Sequence, residues 1–529
     1  MNGVRVGTWA ALAGLLVTLP AHGDAPARAG RVAAMDAART AISTPPGLPR
    51  FALFGWVSPP RESTTATRYA ELANAGFNLT VLAWEDSGRV ADNLARLAYT
   101  RPWGVRDLLL DQQLDRVTRS DPASLLLADS IVARYRDDPA FAGWYLGDEP
   151  AASGFPRLAE LFGILRERDP THSGWNNLLG RAAFASVADF RAYLEAYVAA
   201  AQPVVLCDDH YEFLVNGDRG QMAENIGTLA AVAREHGLPF WGIVLLVQHG
   251  DYRAVSAGML RWQVGQWLAW GARGIGTFTY WTPAPDSNYD WQPAMIAWGS
   301  GARTPLYDMG RAVNLEVAPL GNVLAGMQWL ATQYAGSSPA GGTPFEPGDP
   351  VAALAGRATL GFFADSLGAP CVLVANADSL APQMLALRPG GGRAVARLRA
   401  DGSGWDDLAP GPDGRVALAL DAGDFALLRF SGLVDSLAAG EPPGLVLAPN
   451  PARDAVRFSF ARVSSGARLT LLDLAGRRVW SAPRPPASGV ITWHGERDDG
   501  GSAVPGIYFA RLEDPGGVTI RRLAWLGGH

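Results

Sequence analysis

The stretch Gly143-Trp144-Tyr145-Leu146-Gly147-Asp148-Glu149-Pro150 carries the strongest structural signal in the chain. Its apolar part ends abruptly at two acids and a proline, and proline cannot continue the hydrogen-bonded ladder of a central strand. The pattern predicts a buried β-strand whose carboxyl end carries Asp148 and Glu149. Because side chains alternate along a strand, we expect one of these carboxyls to point inward and the other sideways.

Seven more apolar runs lie between residues 50 and 281, and helical patterns separate them. Strands that alternate with helices predict an α/β fold with a parallel sheet, and eight units in about 275 residues predict a (β/α)8 TIM barrel. An open doubly wound sheet is the alternative, but the first run lacks the glycine-rich loop typical of that fold. The eight runs are Phe51–Val57, Asn78–Trp84, Val105–Leu110, Phe141–Leu146, Ser173–Leu178, Pro203–Cys207, Pro239–Val247 and Gly274–Tyr280.

The chemistry of such a barrel sits on the rim where the strands end. Nearly every predicted strand end of this chain carries a carboxylate, an amide or an aromatic ring. Carboxylates protonate a leaving oxygen, amides bind hydroxyls and aromatic faces stack on sugar rings, so the rim predicts a carbohydrate site. Besides the two acids of the fourth strand and Asp209, the predicted substrate-binding residues are Trp56, Trp84, Glu85, Asp111, Asn176, Asn177, His210, Tyr211, Gln248, His249, Tyr280 and Trp281.

Residues 50 to 327 resemble the barrel glycoside hydrolases of clan A. Asp148-Glu149-Pro150 is similar to the Asn-Glu-Pro or Asp-Glu-Pro motif with which their fourth strand ends. Asp209-His210-Tyr211 and Thr279-Tyr280-Trp281 resemble runs that follow their sixth and eighth strands. The resemblance implies a hydrolase of O-glycosidic bonds in which Glu149 is the general acid/base.

The seventh strand departs from the family pattern. Retaining members keep a nucleophilic glutamate there, whereas this chain has Val247-Gln248-His249-Gly250-Asp251. One alternative is that Asp209 or Asp148 acts as nucleophile, about 5–5.5 Å from Glu149. Another is that a more distant acid activates water in an inverting reaction, at about 6.5–9.5 Å. A third is that hydrolysis has been lost and the barrel only binds glycan. The acids considered for inversion are Asp111, Asp209 and Glu85.

Composition argues against several other classes of protein. The formal net charge of −6 is not that of a nucleic-acid-binding protein. The seven histidines are scattered, and Cys207 and Cys371 have neither metal-ligand nor redox spacing. We therefore expect no metal and no cofactor. In either hydrolytic case the pKa of Glu149 must be raised, because a general acid has to be protonated.

The N-terminus predicts export. Arg5 precedes the apolar run Thr8–Pro20, and Ala21-His22-Gly23 follows with small residues at the positions that a signal peptidase reads. This pattern is typical of a signal peptide over residues 1–23; an N-terminal membrane anchor is the alternative. We expect a leader over residues 24–48, the barrel over 49–332, and no other segment long enough to span a membrane.

Two all-β domains are predicted after the barrel, over residues 351–432 and 445–529, from short alternating runs separated by turns. Pro449-Asn450-Pro451, Asp473-Leu474-Ala475-Gly476 and Gly506-Ile507-Tyr508-Phe509 resemble the FlgD-type Ig-like domain, similar to the C-terminal sorting domains of type IX secretion substrates. The resemblance implies attachment at the cell surface or contact with secretion machinery.

Taken together, the sequence predicts a secreted or surface glycoside hydrolase of bacterial origin that acts on carbohydrate. A catalytically silent glycan-binding barrel is the first alternative. An exported adhesin that works through its tail domains is the second.

Overall fold

The computed structural model describes residues 44–81, 88–285, 289–433, 445–460, 467–473, 476–482, 489–514 and 517–527. Its first domain is built from eight parallel strands, each followed by an α-helix. The strands are β1 Ala52–Trp56, β2 Leu79–Val81, β3 Arg106–Leu109, β4 Phe141–Asp148, β5 Gly174–Asn177, β6 Leu206–Asp209, β7 Phe240–Leu245 and β8 Gly274–Phe278. The helices are α1 Ala66–Asn74, α2 Val90–Thr100, α3 Pro122–Tyr135, α4 Phe155–Arg168, α5 Val187–Ala201, α6 Met222–Glu235, α7 Ala257–Ala269 and α8 Pro305–Leu324.

The strands close into a barrel. Their order is β5-β4-β3-β2-β1-β8-β7-β6, so the first and last strands of the chain are neighbours. The remaining gap between β5 and β6 is bridged just beyond β5, where the backbone N–H of Leu178 donates to the carbonyl of Cys207 at 2.9 Å. The predicted TIM barrel is thereby confirmed.

Aromatic rings fill the barrel interior. The ring centroids of Phe54 and Trp56 on β1 lie 5.9 and 5.6 Å from that of Trp175 on β5. Gly276 on β8 makes room for them, because a Cβ at this position would come within 2.4 Å of the Phe54 ring. Rings of this size leave a packed interior, so only the mouth above them is open to a ligand.

β4 carries one extra residue relative to β5. Tyr145 pairs with Trp175, but Asp148, three residues further on, pairs with Asn177, which is only two residues further on. Gly147 adopts a φ of 129° at this bulge, a conformation that glycine allows and a side chain strains. The extra residue shifts the alternation, so Asp148 comes to lie on the same inward face as Tyr145.

The second domain is a sandwich of two antiparallel sheets that packs against α7. Trp262 donates its indole N–H to the carbonyl of Ala377 at 3.2 Å, and Thr359 donates its hydroxyl to the side chain of Gln266 at 3.1 Å. One sheet has the order β9-β11-β12-β17-β14-β15 and the other β10-β13-β16. The strands are β9 Gln328–Ala335, β10 Val351–Ala355, β11 Ala358–Ala364, β12 Pro370–Asn376, β13 Gln383–Pro389, β14 Arg393–Leu398, β15 Trp405–Leu408, β16 Val416–Leu420 and β17 Phe425–Leu433.

A third, C-terminal domain also consists of two antiparallel sheets. Their orders are β18-β19-β22 and β21-β20-β23-β24, and Trp493 and Trp525 pack together in the core with ring centroids 4.7 Å apart. The prediction of two all-β domains after the barrel is thus confirmed. The strands are β18 Val446–Ala448, β19 Val456–Phe460, β20 Arg468–Leu472, β21 Arg478–Ser481, β22 Gly489–Trp493, β23 Gly506–Asp514 and β24 Gly517–Trp525.

Among the described residues, no helix has the length and apolar character needed to cross a bilayer. The predicted signal peptide, residues 1–23, and most of the predicted leader lie outside the described residues.

Candidate active site

Side chains from β4, β5 and β6 meet at the C-terminal mouth of the barrel. The side-chain amide of Asn177 donates to Oδ1 of Asp148 at 3.1 Å and to Oδ1 of Asp209 at 2.9 Å. The carboxyl of Glu149 lies within electrostatic reach of those of Asp209 and Asp148, whose charges raise its pKa. We call Asp148, Glu149 and Asp209 the carboxylate cluster.

Both acids of β4 belong to this cluster, so the expectation that one of them points sideways is wrong. The bulge at Gly147 turns Asp148 inward. Glu149 follows in the left-handed region with a φ of 42°, and its backbone N–H donates to the carbonyl of Asn177 at 2.9 Å. That conformation costs a residue with a Cβ about 1–2 kcal/mol. Strain of this kind is concentrated at functional sites, where surrounding contacts impose it.

The electrostatics of the cluster favour bound protons. Burial, followed by the charges of Asp209 and Asp148, raises the pKa of Glu149 far above its ordinary value. Desolvation of its carboxyl and the charge of Asp209 also raise the pKa of Asp148, although this residue as a whole is exposed to solvent. Burial raises the pKa of Asp209 as well, against the opposing hydrogen bond from Asn177. Like charges this close cannot all ionise, so we place a proton on Glu149 at neutral pH.

An aromatic wall stands beside Asp209. The charge of Asp209 helps burial to raise the pKa of Tyr211, whose ring stacks on Phe278 with centroids 5.9 Å apart. Phe278 in turn lies 5.9 Å from Trp291, and His249 stacks on Trp291 at 4.4 Å. Flat rings next to acids suit a sugar, which presents both apolar faces and hydroxyl groups. We call Tyr211, Phe278, Trp291 and His249 the aromatic wall.

Aromatic rings also form the floor of the mouth. Trp56 lies 5.8 Å from Tyr145 and 5.6 Å from Trp175, measured between ring centroids. Burial and the charges of Asp148 and Glu149 raise the pKa of the Tyr145 hydroxyl, which places this ring next to the cluster. The floor therefore supplies the low-dielectric surroundings on which the pKa shifts above depend.

Several predicted site residues lie elsewhere. Asp111 is buried and accepts hydrogen bonds from Arg134 at 2.9 Å, from Tyr135 at 2.8 Å and from the backbone of Gln113 at 2.9 Å. Asn176 faces away from the mouth and bonds to Tyr197 and to the backbone of Gly147. The contacts of these two side chains stabilise the fold around the site.

The remaining predicted residues lie either in the buried layer behind the barrel strands or at the rim of the barrel. Nε2 of His210 is 3.0 Å from a carboxylate oxygen of buried Glu212. Tyr280 packs on Phe77 at 5.7 Å, and buried Trp281 lies under the guanidinium of Arg68 at 5.3 Å. Gln248 is exposed at the end of β7. Trp84 and Glu85 lie outside the described residues.

Tyr145, Trp175 and Phe278 contribute to the site without having been predicted as site residues. Trp175 lies two residues before Asn177 on β5, so strand alternation already puts both on the inward face. Tyr145 gives no such signal, because the bulge changes the alternation between it and Asp148.

Among the described residues, no group of three or more His, Cys, Asp or Glu side chains is arranged to hold a metal ion.

Comparisons with known proteins give structural neighbours only. No family model matches the chain, and no curated protein matches it. Solved structures similar to it include a β-galactosidase from Marinomonas ef1 (10% identity, 54% of this chain and 63% of that one, TM-score 0.40). A glucosidase from Croceicoccus marinus follows (13% identity, 72% and 95%, TM-score 0.39), then a β-galactosidase from Halorubrum lacusprofundi (11% identity, 90% and 99%, TM-score 0.39). This chain thus spans less than two thirds of the Marinomonas enzyme.

Proposed function

We propose that this protein is a secreted glycoside hydrolase that cleaves O-glycosidic bonds of an oligo- or polysaccharide. Glu149 would be the general acid/base and Asp209 the nucleophile. The observation that supports this most strongly is the grouping of the Glu149, Asp148 and Asp209 carboxyls around the side-chain amide of Asn177 in an aromatic-lined barrel mouth, where the charge of Asp209 helps to raise the pKa of Glu149. Glu149 is protonated and Asp209 is an acceptor, which are the two states the reaction needs.

The closeness of the two carboxyls favours a retaining reaction. Inverting enzymes hold their carboxyls about 6.5–9.5 Å apart to leave room for a water. Here Asp148 and Asp209 accept hydrogen bonds from the same amide nitrogen of Asn177, at 3.1 and 2.9 Å, and Glu149 directly follows Asp148. Of the two possible nucleophiles, Asp209 is the better supported. It accepts a hydrogen bond from Asn177 at 2.9 Å and lies beside the aromatic wall, whereas Asp148 accepts one from Asn177 at 3.1 Å and is exposed to solvent.

The proposed reaction has two balanced steps. In the first, a carboxylate oxygen of Asp209 attacks the anomeric carbon, the bond to the leaving oxygen breaks, and the Glu149 proton passes to that oxygen. In the second, Glu149 takes a proton from water, the hydroxide oxygen bonds to the anomeric carbon, and the ester to Asp209 breaks. Glu149 ends protonated and Asp209 ionised, as at the start.

The test is a screen of the full-length protein against polysaccharides and aryl glycosides of both anomers. Glu149→Gln serves as the site variant, and Asp137→Asn, whose side chain is 89% exposed and precedes β4 at the opposite end of the barrel, is the control. We expect the wild type and the control to release sugar, and Glu149→Gln to lose about 10²–10⁴-fold in rate. Product with retained anomeric configuration supports Asp209 as nucleophile. No release by the wild type from any substrate contradicts the proposal.

A glycan-binding barrel without hydrolysis is the second candidate. It is favoured by the end of β7, where buried Leu246 and Val247 are followed by exposed Gln248 rather than by a carboxylate. In the same screen, this candidate predicts saturable glycan binding by the wild type and by Glu149→Gln alike, with no sugar released by either.

The proposal also includes where the protein acts, on the basis of residues 1–23 and the C-terminal domain. Residues 1–23 would direct export. The C-terminal domain would attach the enzyme to the cell surface or engage secretion machinery, as its resemblance to FlgD-type Ig-like domains suggests. Its compact core around Trp493 and Trp525 supports an independent module rather than a part of the active site.

A further inference from the structure

Two arginines link the hairpin that follows β6 to the loop that follows β7. We call the hairpin, residues 213–218, the β6 hairpin. Arg253, from the β7 loop, forms an ion pair with Asp218 of the hairpin at 2.8 Å. Arg219, directly after the hairpin, lies over the ring of Tyr252 from the β7 loop, with its guanidinium carbon 5.8 Å from the ring centroid. The two arginines therefore have similar positions and allow a direct comparison.

The guanidinium of Arg219 is held beside the aromatic wall by neutral acceptors. Its Nε donates to the backbone carbonyl of Tyr211 at 3.2 Å, and its Nη2 donates to the Tyr252 hydroxyl at 3.1 Å. The ring of Tyr252 in turn lies 5.3 Å from that of Tyr211 and 5.0 Å from that of His249, measured between centroids. Two hydrogen bonds thus fix the orientation of a cation next to residues of the proposed sugar site.

Among the residues that the structure describes, no carboxylate forms an ion pair with Arg219. The two acids nearest to it along the chain have other partners, since Asp218 pairs with Arg253 and Glu212 faces His210. Arg219 is half-buried, and its Nη1 neither donates to a described residue nor belongs to their buried polar atoms. The positive charge is therefore uncompensated, and N–H donors of the guanidinium remain accessible to a ligand.

Tyr252 places this cation at a short distance from the carboxylate cluster. The charges of Asp209 and Glu149 raise the pKa of the Tyr252 hydroxyl, whereas the charge of Arg219 lowers it, so this hydroxyl lies within reach of both sides. Arg219 is not among the charges that shift the pKa of Glu149 or Asp148. A ligand group at Arg219 would therefore belong to a sugar unit next to the one whose bond is cleaved.

We propose that Arg219 binds an anionic group of the substrate, the carboxylate or sulfate of an acidic sugar. This inference rests on the proposed glycosidase function and specifies its substrate class: glycans that contain uronate or sulfated units. A guanidinium presents a planar fork of N–H donors that matches two oxygens of a carboxylate or sulfate, and the opposite charge strengthens each hydrogen bond. A sugar hydroxyl would leave the charge of Arg219 uncompensated, and an amino sugar would be repelled by it.

The experiment compares glycans that share a backbone and differ in charge, using the full-length protein. Oligogalacturonides and their methyl esters test the carboxylate, and sulfated carrageenan oligosaccharides and their desulfated forms test the sulfate. Binding is measured by saturation-transfer NMR titrations and turnover by the release of reducing ends. A charge-assisted hydrogen bond predicts that the anionic member of at least one pair binds on the order of 10-fold more tightly. This advantage should shrink as salt is added, because the half-buried guanidinium is partly screened.

Arg219→Gln is the diagnostic variant, and Arg253→Gln is its matched control. Each variant removes one guanidinium that links the β6 hairpin to the β7 loop, but only Arg253 already has an acid partner. We expect the anionic-to-neutral binding ratio to fall to near one in Arg219→Gln and to stay unchanged in Arg253→Gln. Arg219→Lys keeps the charge without the planar fork and should retain a smaller preference. A purely structural role of Arg219 would weaken the binding of both glycans of a pair and leave their ratio unchanged.

The outcomes separate this inference from the proposed function. Turnover of neutral glycans with no preference for their anionic partners overturns the inference and leaves the glycosidase standing. A preference that persists in Arg219→Gln also overturns the inference, because the anion then binds elsewhere. Selective binding of an anionic glycan that Arg219→Gln abolishes, without turnover, supports the inference and counts against hydrolysis. Neither binding nor turnover of any glycan contradicts both.

Discussion

Acids at the ends of two neighbouring strands, β3 and β4, have opposite surroundings. Asp111, just after β3, meets Arg134 and Tyr135 from the end of α3, and its buried carboxylate is compensated in charge and in hydrogen bonds. Asp148 and Glu149, at the end of β4, meet Asp209 instead of a cation. A strand end places an acid near the mouth, but the partner that faces it determines whether the acid stabilises the fold or remains available for chemistry.

The largest expected difference between the two regions is in turnover. Asp209→Asn removes the proposed nucleophile and should lower kcat by about four orders of magnitude or more. Asp111→Asn should keep kcat within about tenfold, because its carboxylate faces Arg134 rather than substrate. Initial rates on the best substrate of the screen, with circular dichroism to verify folding, measure both.

Equal losses of kcat in Asp209→Asn and Asp111→Asn would contradict the assignment of Asp111 to the fold and of Asp209 to the reaction. A folded Asp209→Asn variant with wild-type turnover would move the nucleophile to Asp148 and leave the role of Glu149 in place.

The sequence predicts those features of the fold and the site that depend on residues close together in the chain. It does not predict those that depend on contacts between distant residues. The eight strand–helix units follow from periodicity, and Asp148, Glu149, Asn177 and Asp209 follow from position at strand ends. The role of Asp111 does not, because it depends on Arg134, which comes 23 residues later on α3.

The β4 bulge shows a second limit of sequence reasoning. Simple alternation separates Asp148 from Glu149, whereas one inserted residue at Gly147 and a left-handed Glu149 bring both into one cluster. Tyr280 and Trp281 show the converse, since they match a motif but pack into the shell behind the strands. A sequence motif identifies the types of residue that follow a strand. The path of the backbone determines whether their side chains point into the mouth of the barrel.

The second expected difference is in stability. Asp111→Asn leaves the contacts of half-buried Arg134 and buried Tyr135 poorly satisfied and should lower the free energy of unfolding by about 1–3 kcal/mol. Asp148→Asn removes one acid of the crowded carboxylate cluster and should leave that free energy unchanged or raise it by up to about 1 kcal/mol, as is common at functional sites. Urea unfolding at pH 7 measures both. Equal destabilisation would mean that the cluster, too, is compensated.

The smallest expected difference is in the pH dependence of stability. The folded-state pKa of Asp148 is raised to about 7 by burial and by the charge of Asp209, whereas an unfolded aspartate titrates near pH 4. The folded protein therefore holds this proton more tightly. The stability that this tighter proton binding by Asp148 contributes is fully present below about pH 4, and it is lost as the pH rises through about 7. The melting temperature of the wild type should accordingly fall relative to that of Asp148→Asn across this window.

Asp137→Asn gives the baseline for losing one exposed charge. A constant offset between wild type and Asp148→Asn from pH 4 to 8 would show that the Asp148 carboxyl is as well solvated in the folded chain as in the unfolded one, and the contrast with Asp111 would then rest on turnover alone.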